Sequence, residues 1–336
     1  MRNVGPFRSG LLCRIWGQKR DFQGLCKAGP GVRKNAGLGM MRGFYNKKIA
    51  DCFFGSDMRI DLHMHSNVSD GSLSPSALVQ LVHDNGVELM ALTDHDTMDG
   101  VHLAARTAES LGVGFIPGVE VSTGWGGRVI HIVGLGMDPE SAGVDAFFRD
   151  VCVKRDVRGR RIGERFDAIG IHGAYEGALS LADNKDNLSR THFAHWLLQN
   201  GHVSNYQEAF DRYLKTGRPC CVDVEWPGLR EVIGLIHDAG GMAVIAHPGR
   251  YSFSEDWMLD ELFKAFWDMG GEAIEVCSGS QSRDADEKLA GVARQMGFLA
   301  SSGSDWHSVR GTRPAPGTQP QIPDDLTPVW RFLSWR

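Results

Sequence analysis

The chain has 336 residues, 42% hydrophobic and 23% charged, with a net charge of −5. This is the composition of a globular protein long enough for one large core with an insertion, or for two domains. No apolar run approaches the roughly 18 residues of a spanning helix. The seven cysteines form no CxxC pair, which excludes a zinc ribbon or a disulfide framework and suits a reducing cytoplasm.

Charge divides unevenly along the chain. Residues 1–57 hold eleven Lys or Arg against three acids, or +8, which leaves −13 for the remainder. This Gly-rich leader has no helical or strand period and is expected to be disordered. A transit peptide or a nucleic-acid arm would also fit, but the preferred reading starts the protein at Met58 and treats the leader as dispensable or mis-called.

Residues 59–64 alternate polar and apolar and read as a strand that ends in His63-Met-His65. Side chains two apart share a strand face, so the two imidazoles stand together, and Asp70 on the next turn can add a carboxylate. A surface HxH would have the same spelling. A helix follows over residues 74–86, with Ser at the N-cap, Pro at the first position and a terminating Gly. The apolar run 87–93 delivers Asp94-His95-Asp96, with both acids assigned to orienting His95 or capping the next helix, which occupies about 100–111. Extended runs 119–123 and 128–133 flank a Gly-rich turn, so Glu120 and His131 can face each other across a hairpin.

Between residues 142 and 235 the strand–helix alternation lapses, and helical periods at 147–169, 191–198 and 206–214 predict a mainly helical insertion. The basic stretch 154–165 reads as a solvated helix face or a phosphate groove. Ser189-Arg190 opens a helix, making Arg190 the first choice for a substrate-phosphate ligand. Alternation resumes with a helix over 227–240, a buried strand 242–247 ending at His247, a helix over 257–269, a strand 273–277, a helix near 285–296 and a strand 298–302 that leads to Asp305 and His307. The tail is expected to be irregular, with Pro328-Val-Trp330 as an anchor. Strand, helix, strand, helix argues for a largely parallel sheet or barrel with its site on the strands' C-terminal rim.

Four strand ends thus present histidines, with Asp70, Glu120, His131 and Asp305 nearby. Clustered acids and imidazoles are costly unless cations hold them. Six motifs, DLHMHS with Asp70-Gly71, TDHD at 93–96, GVEVS at 118–122, VIHIVG at 129–134, AHPGRY at 246–251 and SGSDWH at 302–307, resemble the polymerase-and-histidinol-phosphatase (PHP) metallophosphoesterases. SRTHFAHWLLQNGHV and EAFDRYLKTGRPCCV, at 189–203 and 208–222, are similar to the subgroup that acts on 3′,5′-nucleoside bisphosphates and trims short RNA from the 5′ end.

The resemblance implies an α/β fold, a distorted (β/α)7 barrel of the PHP type with an inserted mainly helical subdomain. Residues 58–141 and 236–336 would form the barrel and tail, and 142–235 the insertion. It implies two to three divalent ions, commonly manganese, with zinc or iron as alternatives. His63, His65, Glu120 and Asp305 would hold one ion; Glu120, His131 and His247 a second; Asp70, His95 and His307 a third. Asp70, His95, Glu120 and His307 would be central to catalysis, and Arg190, Arg250 and Arg218 would grip substrate phosphates. The expected partners are a small nucleotide and short 5′-phosphorylated RNA, in the cytoplasm, with no membrane and no protein partner. The competing readings are another phosphomonoesterase of the family, such as one acting on histidinol phosphate, or a non-catalytic metal-stabilised regulatory module.

Overall fold

The computed structural model describes residues 58–255, 257–309 and 313–335. The expectations for residues 1–57 lie outside the described residues. Seven strands, β1 Ile60–Asp61, β2 Leu89–Leu92, β3 Gly114–Trp125, β4 Arg128–Leu135, β5 Met242–Ile245, β6 Ala273–Ser278 and β7 Leu299–Gly303, pair in chain order. Beyond the short β1, the Leu62 amide donates to the Ser302 carbonyl at 3.0 Å and the Asp305 amide to the His63 carbonyl at 2.8 Å. These bonds bring the two ends of the sheet together, so the barrel is nearly closed.

The sheet is less parallel than the alternation predicts. Strands β3 and β4 form an antiparallel hairpin, and β4 runs antiparallel to β5 as well. The cause is local: the tight Gly126-Gly127 turn, with both residues at positive φ, returns the chain beside β3 where a crossover helix would have kept it parallel.

Alternate strand residues enter two different cores. Leu89, Ala91, Ile116, Val133, Val244 and Ala273 pack with Val329 inside the barrel, in a cluster that contains no residue of the nine described α-helices. Met90, Leu92, Val119, Ile132, Ile245 and Ile274 face outward. They meet Leu78 and Val82 of α1 (Pro75–Asp84), Ala104 of α2 (Val101–Leu111), Val232 of α7 (Leu229–Asp238), Leu262 of α8 (Trp257–Asp268) and Leu289 of α9 (Arg283–Met296). The period of two places hydrophobic side chains on both faces, as a helix-wrapped sheet requires. Ser74 caps α1, its hydroxyl accepting from the Ala77 amide, and Gly112 ends α2 at φ 73°.

Between β4 and α7 the chain builds a separate apolar cluster, centred on Ile162, Phe166, Ala178, Phe193, Leu197 and Leu214. Its elements are α3 (Val144–Ala168), α4 (Ala174–Leu181), α5 (Arg190–Gln199) and α6 (Tyr206–Ala209), which continues as a π-helical turn Phe210–Leu214. Helix α4 is only eight residues long and starts after Gly173, which offers no capping side chain. The basic stretch of α3 is not uniformly solvated: Arg155 and Arg158 are buried. A 3-10 turn, Val329–Arg331, anchors the tail, and Ala300 bridges to Pro328. No helix among the described residues is long and apolar enough to cross a membrane.

Candidate metal centre

The loops that leave the C-terminal ends of the strands converge on one rim. Three non-glycine residues with positive φ sit there: Asp96 after β2 and Asp305 after β7, both at 52°, and His247 after β5 at 31°. Backbone in this region costs on the order of 1–3 kcal/mol and collects where a site over-determines it. Gly303 must be glycine, since a Cβ would fall 2.2 Å from the His63 Cβ.

Glu120 is the hub. Its Oε2 lies 3.2 Å from both His63 Nε2 and His65 Nε2 and 3.0 Å from His95 Nδ1. Its Oε1 lies 2.8 Å from His131 Nδ1 and 2.9 Å from His247 Nε2. The hairpin pairs Ser122, not Glu120, with His131, so the carboxylate reaches its imidazole along the diagonal on one face. Asp305 Oδ1 stands 3.5 Å from His65 Nε2 and 3.8 Å from His63 Nε2. Asp70 Oδ1 stands 3.4 Å from His307 Nε2 and 3.9 Å from His95 Nε2.

The structure therefore brings together all nine residues singled out for metal from the sequence. Three groups offer donor atoms within 4.8 Å of one another: His63, His65, Glu120 and Asp305; His65, Asp70, His95 and His307; and His95, Glu120 and His131. His65 and His95 each stand in two of them, which the sequence did not suggest.

The donor chemistry suits cations. Among buried atoms without a hydrogen-bond partner are His63 Nε2, both ring nitrogens of His65, Asp70 Oδ1, His95 Nδ1, Glu120 Oε2 and His247 Nδ1. Such groups are costly to leave unsatisfied, yet their neighbours are other donors at 3–4 Å. Two ligands each about 2.0–2.2 Å from one ion stand roughly 3–3.5 Å apart, a spacing that matches the contacts of the orphaned atoms. Burial opposes charge on His63, but Glu120 and Glu275 lift its pKa well above the ordinary value. His65 is lifted to about 9 against the same burial, by Asp305 and Glu120. Burial, by contrast, pushes His95 well down and His247 to about 3. The carboxylates thus call for positive charge that the imidazoles supply only in part, and coordinated cations would supply it while leaving the rings neutral.

An outer layer fixes the rings. His63 Nδ1 donates to Glu275 Oε1 at 3.0 Å, leaving Nε2 free toward Glu120, and the His247 amide donates to Glu275 Oε2 at 2.6 Å. His307 Nδ1 donates to the Asp305 carbonyl at 2.9 Å, turning Nε2 to Asp70. Asp94 neither orients His95 nor caps α2; it accepts from the Ser66 amide and from the Ser66 and Ser69 hydroxyls, fixing the turn that carries Asp70. Asp96 accepts from the Ser122 amide and pairs with Arg155 of α3, Nε to Oδ2 2.8 Å. Asn187 donates to the His95 carbonyl, and Ser189 Oγ to Asp70 Oδ2 at 3.2 Å.

The arginines divide. Arg250 Nη1 reaches the outer oxygen of Asp305 at 2.8 Å. Arg190 opens α5 and donates to the Leu214 carbonyl at 3.4 Å. Arg218 is exposed on the turn after the π-helical segment and is not among the groups gathered at the centre. Two participants escaped the sequence reading. Glu275 carried a signal, a lone acid in the otherwise apolar strand AIEVC. Arg313, whose Nη2 lies 3.1 Å from Asp305 Oδ2, sits in a Pro-rich tail that carried none.

Comparison with known proteins follows the same lines. Residues 61–272 match the family model described as the PHP domain. Over 278 residues the chain is 42% identical to the 3′,5′-nucleoside bisphosphate phosphatase of Chromobacterium violaceum, spanning 82% of this chain and 97% of that relative. Over 272 residues it is 40% identical to a 5′-3′ exoribonuclease of Haemophilus influenzae, spanning 81% and 98%. Among solved structures, an amidohydrolase from Chromobacterium violaceum with bound sulfate and no metal aligns with a TM-score of 0.78 at 41% identity, over 81% of this chain and 95% of that one.

Proposed function

The chain belongs to the PHP domain family, and from that premise we propose that it is a metal-dependent phosphoesterase that removes the 3′-phosphate of 3′,5′-nucleoside bisphosphates and trims short RNA from 5′ to 3′. The observation that carries this reading is the convergence on one barrel rim of eight oxygen and imidazole donors in three close groups, with His247 against Glu120 as the ninth and orphaned buried atoms among them. Two relatives of about 40% identity act, by their names, on those two substrate classes.

His63, His65, Glu120 and Asp305 would hold one ion, Glu120, His131 and His247 another, and Asp70, His95 and His307 a third. Divalent cations held there, manganese by preference and zinc or iron as alternatives, would activate water and neutralise phosphoryl oxygens. The protein's own share is positional. Glu275 holds His63 with its free nitrogen facing the centre, Asp94 fixes the loop of Asp70, and Asn187 and Ser189 tie the helical insertion, residues 142–235, to the segments of His95 and Asp70. Arg250 binds the outer oxygen of Asp305 and leaves further N–H groups for a phosphate; Arg190 and, farther out, Arg218 are proposed for the same use. The free thiols of Cys152, Cys220, Cys221 and Cys277 suit a reducing compartment, the cytoplasm.

The test is a substrate panel with the manganese-loaded protein: 3′,5′-bisphosphoadenosine, a 5′-phosphorylated oligoribonucleotide and histidinol phosphate. Phosphate release from the first and mononucleotide release from the second are expected. Preferential hydrolysis of histidinol phosphate would overturn the substrate assignment, and phosphate release undiminished in chelator would overturn the metal centre.

A further inference from the structure

Asp305 turns its two oxygens to different neighbours. Its Oδ1 faces the centre, 3.5 Å from His65 Nε2 and 3.8 Å from His63 Nε2. Its Oδ2 meets two guanidiniums, Arg250 Nη1 at 2.8 Å and Arg313 Nη2 at 3.1 Å. Arg250 stands on the 3-10 turn after β5 with 40% of its side chain exposed, so water screens its pair. Arg313 comes from the tail and is 23% exposed, which makes it the better shielded of the two. A carboxylate can bind a cation through one oxygen or through both. Charge-assisted N–H groups on Oδ2 commit that oxygen and leave Oδ1 as the ligand atom.

An irregular tail holds a side chain in place only if its backbone is fastened nearby. The Gly317 amide donates to Asp61 Oδ2 at 2.9 Å, Asn85 Nδ2 to the Pro316 carbonyl at 3.2 Å and Gln319 Nε2 to the Ile60 carbonyl at 2.6 Å. Gly317 has φ 78° and no room for a side chain, since a Cβ would fall 2.3 Å from Val87 Cγ2. Asp61 is buried, and its other oxygen accepts from the Ser304 amide at 2.9 Å and the His63 amide at 3.3 Å. One carboxylate therefore ties the tail to the two segments that carry His63 and Asp305. Asp305 itself is held at φ 52°, a conformation that persists only where its surroundings over-determine it.

We propose that Arg313 is a positioning residue of the metal centre: carried in by the tail that Asp61 fastens, it occupies the outer oxygen of Asp305 and so presents Oδ1 alone to the cation held with His63, His65 and Glu120. This rests on the metal centre proposed above and not on the choice of substrate. It makes the C-terminal tail part of the active centre, joined to it through one side chain. A plain staple between tail and rim would use the same ion pair, but its loss would cost stability and leave the cations in place.

The experiment uses the full chain and compares wild type with Arg313→Gln, Arg313→Lys and Gly317→Ala, the last in both the wild-type and the Arg313→Gln background. Manganese affinity is read by chelator competition, with the free ion followed by electron paramagnetic resonance, and stability by urea unfolding of the metal-free protein. Arg313→Gln should weaken one manganese by roughly 10-fold, the lower end for losing a partner of a metal ligand, because Arg250 remains on the same oxygen. Arg313→Lys should recover part of that loss, with the urea midpoint unchanged in both. In the phosphate assay kcat should fall with KM little changed. Gly317→Ala should weaken the same ion, and by less once Arg313 is gone. An Arg313→Gln affinity indistinguishable from wild type, or an equal Gly317→Ala loss in both backgrounds, would overturn the role. If Gly317→Ala does not fold, the two Arg313 variants decide alone. A wild type that binds no manganese would instead sink the metal centre itself.

Discussion

The barrel rim and helix α3 are built on opposite electrostatic plans. The rim gathers three carboxylates and six imidazoles with orphaned lone pairs, an arrangement that is complete only with cations. Helix α3 buries two guanidiniums, Arg155 against the carboxylate of Asp96 and Arg158 against the Val222 carbonyl and the Trp226 ring. Among the described residues, the one full ion pair between the regions is Arg155 with Asp96, beside His95. The contrast teaches that buried charge in this protein is handled in two ways: on the rim, acids and imidazoles crowd one another, and on α3 a built-in partner fixes one segment against another.

The contrast can be broken most forcefully at Glu120, which faces five imidazoles. Glu120→Gln should reduce phosphate release by more than ~10³-fold and lower bound metal, with circular dichroism unchanged; elemental analysis and a phosphate assay on the same preparation check this. Asp70→Ala should likewise abolish phosphate release while leaving the fold nearly intact, and an unchanged rate would count against the third ion. One layer out, Glu275→Gln should weaken metal affinity by roughly 10–100-fold, read by metal titration, because a carboxamide has one acceptor oxygen and cannot accept from both the His63 ring and the His247 amide. Arg155→Met sharpens the comparison from the other side. It strands a buried carboxylate at Asp96, so a loss of about 3–5 kcal/mol in urea unfolding is expected. The smallest effect is at the N-cap of α5, where Ser189→Ala should cost about 1 kcal/mol in the same measurement.

How much of this was legible beforehand depends on range. Helix α2 and its stop at Gly112 follow from period and punctuation, which act within a few residues. The antiparallel run of β4 against β5 was not legible, because nothing in a strand's own alternation states its partner's direction. Helix α4 was missed because eight residues are little more than two turns and no capping side chain marks its start at Gly173. Arg155 and Arg158 were read as a solvated face or a groove, since a basic run is spelled alike whether its members face water, a carboxylate or a ligand.

By itself, the sequence determined which nine donors to single out, that His63, His65, His95, His247 and His307 come at or after strand ends, and the family they resemble, because donor type and two- or three-residue spacing are local properties. Only the tertiary structure decided that Glu120 is the hub, that His65 and His95 belong to two donor groups each, and which arginines have partners. Those facts depend on distances between segments as far apart as Asp61 and Gly317, joined through one hydrogen bond of 2.9 Å. Chain closure sets such distances, and no window along the chain contains them.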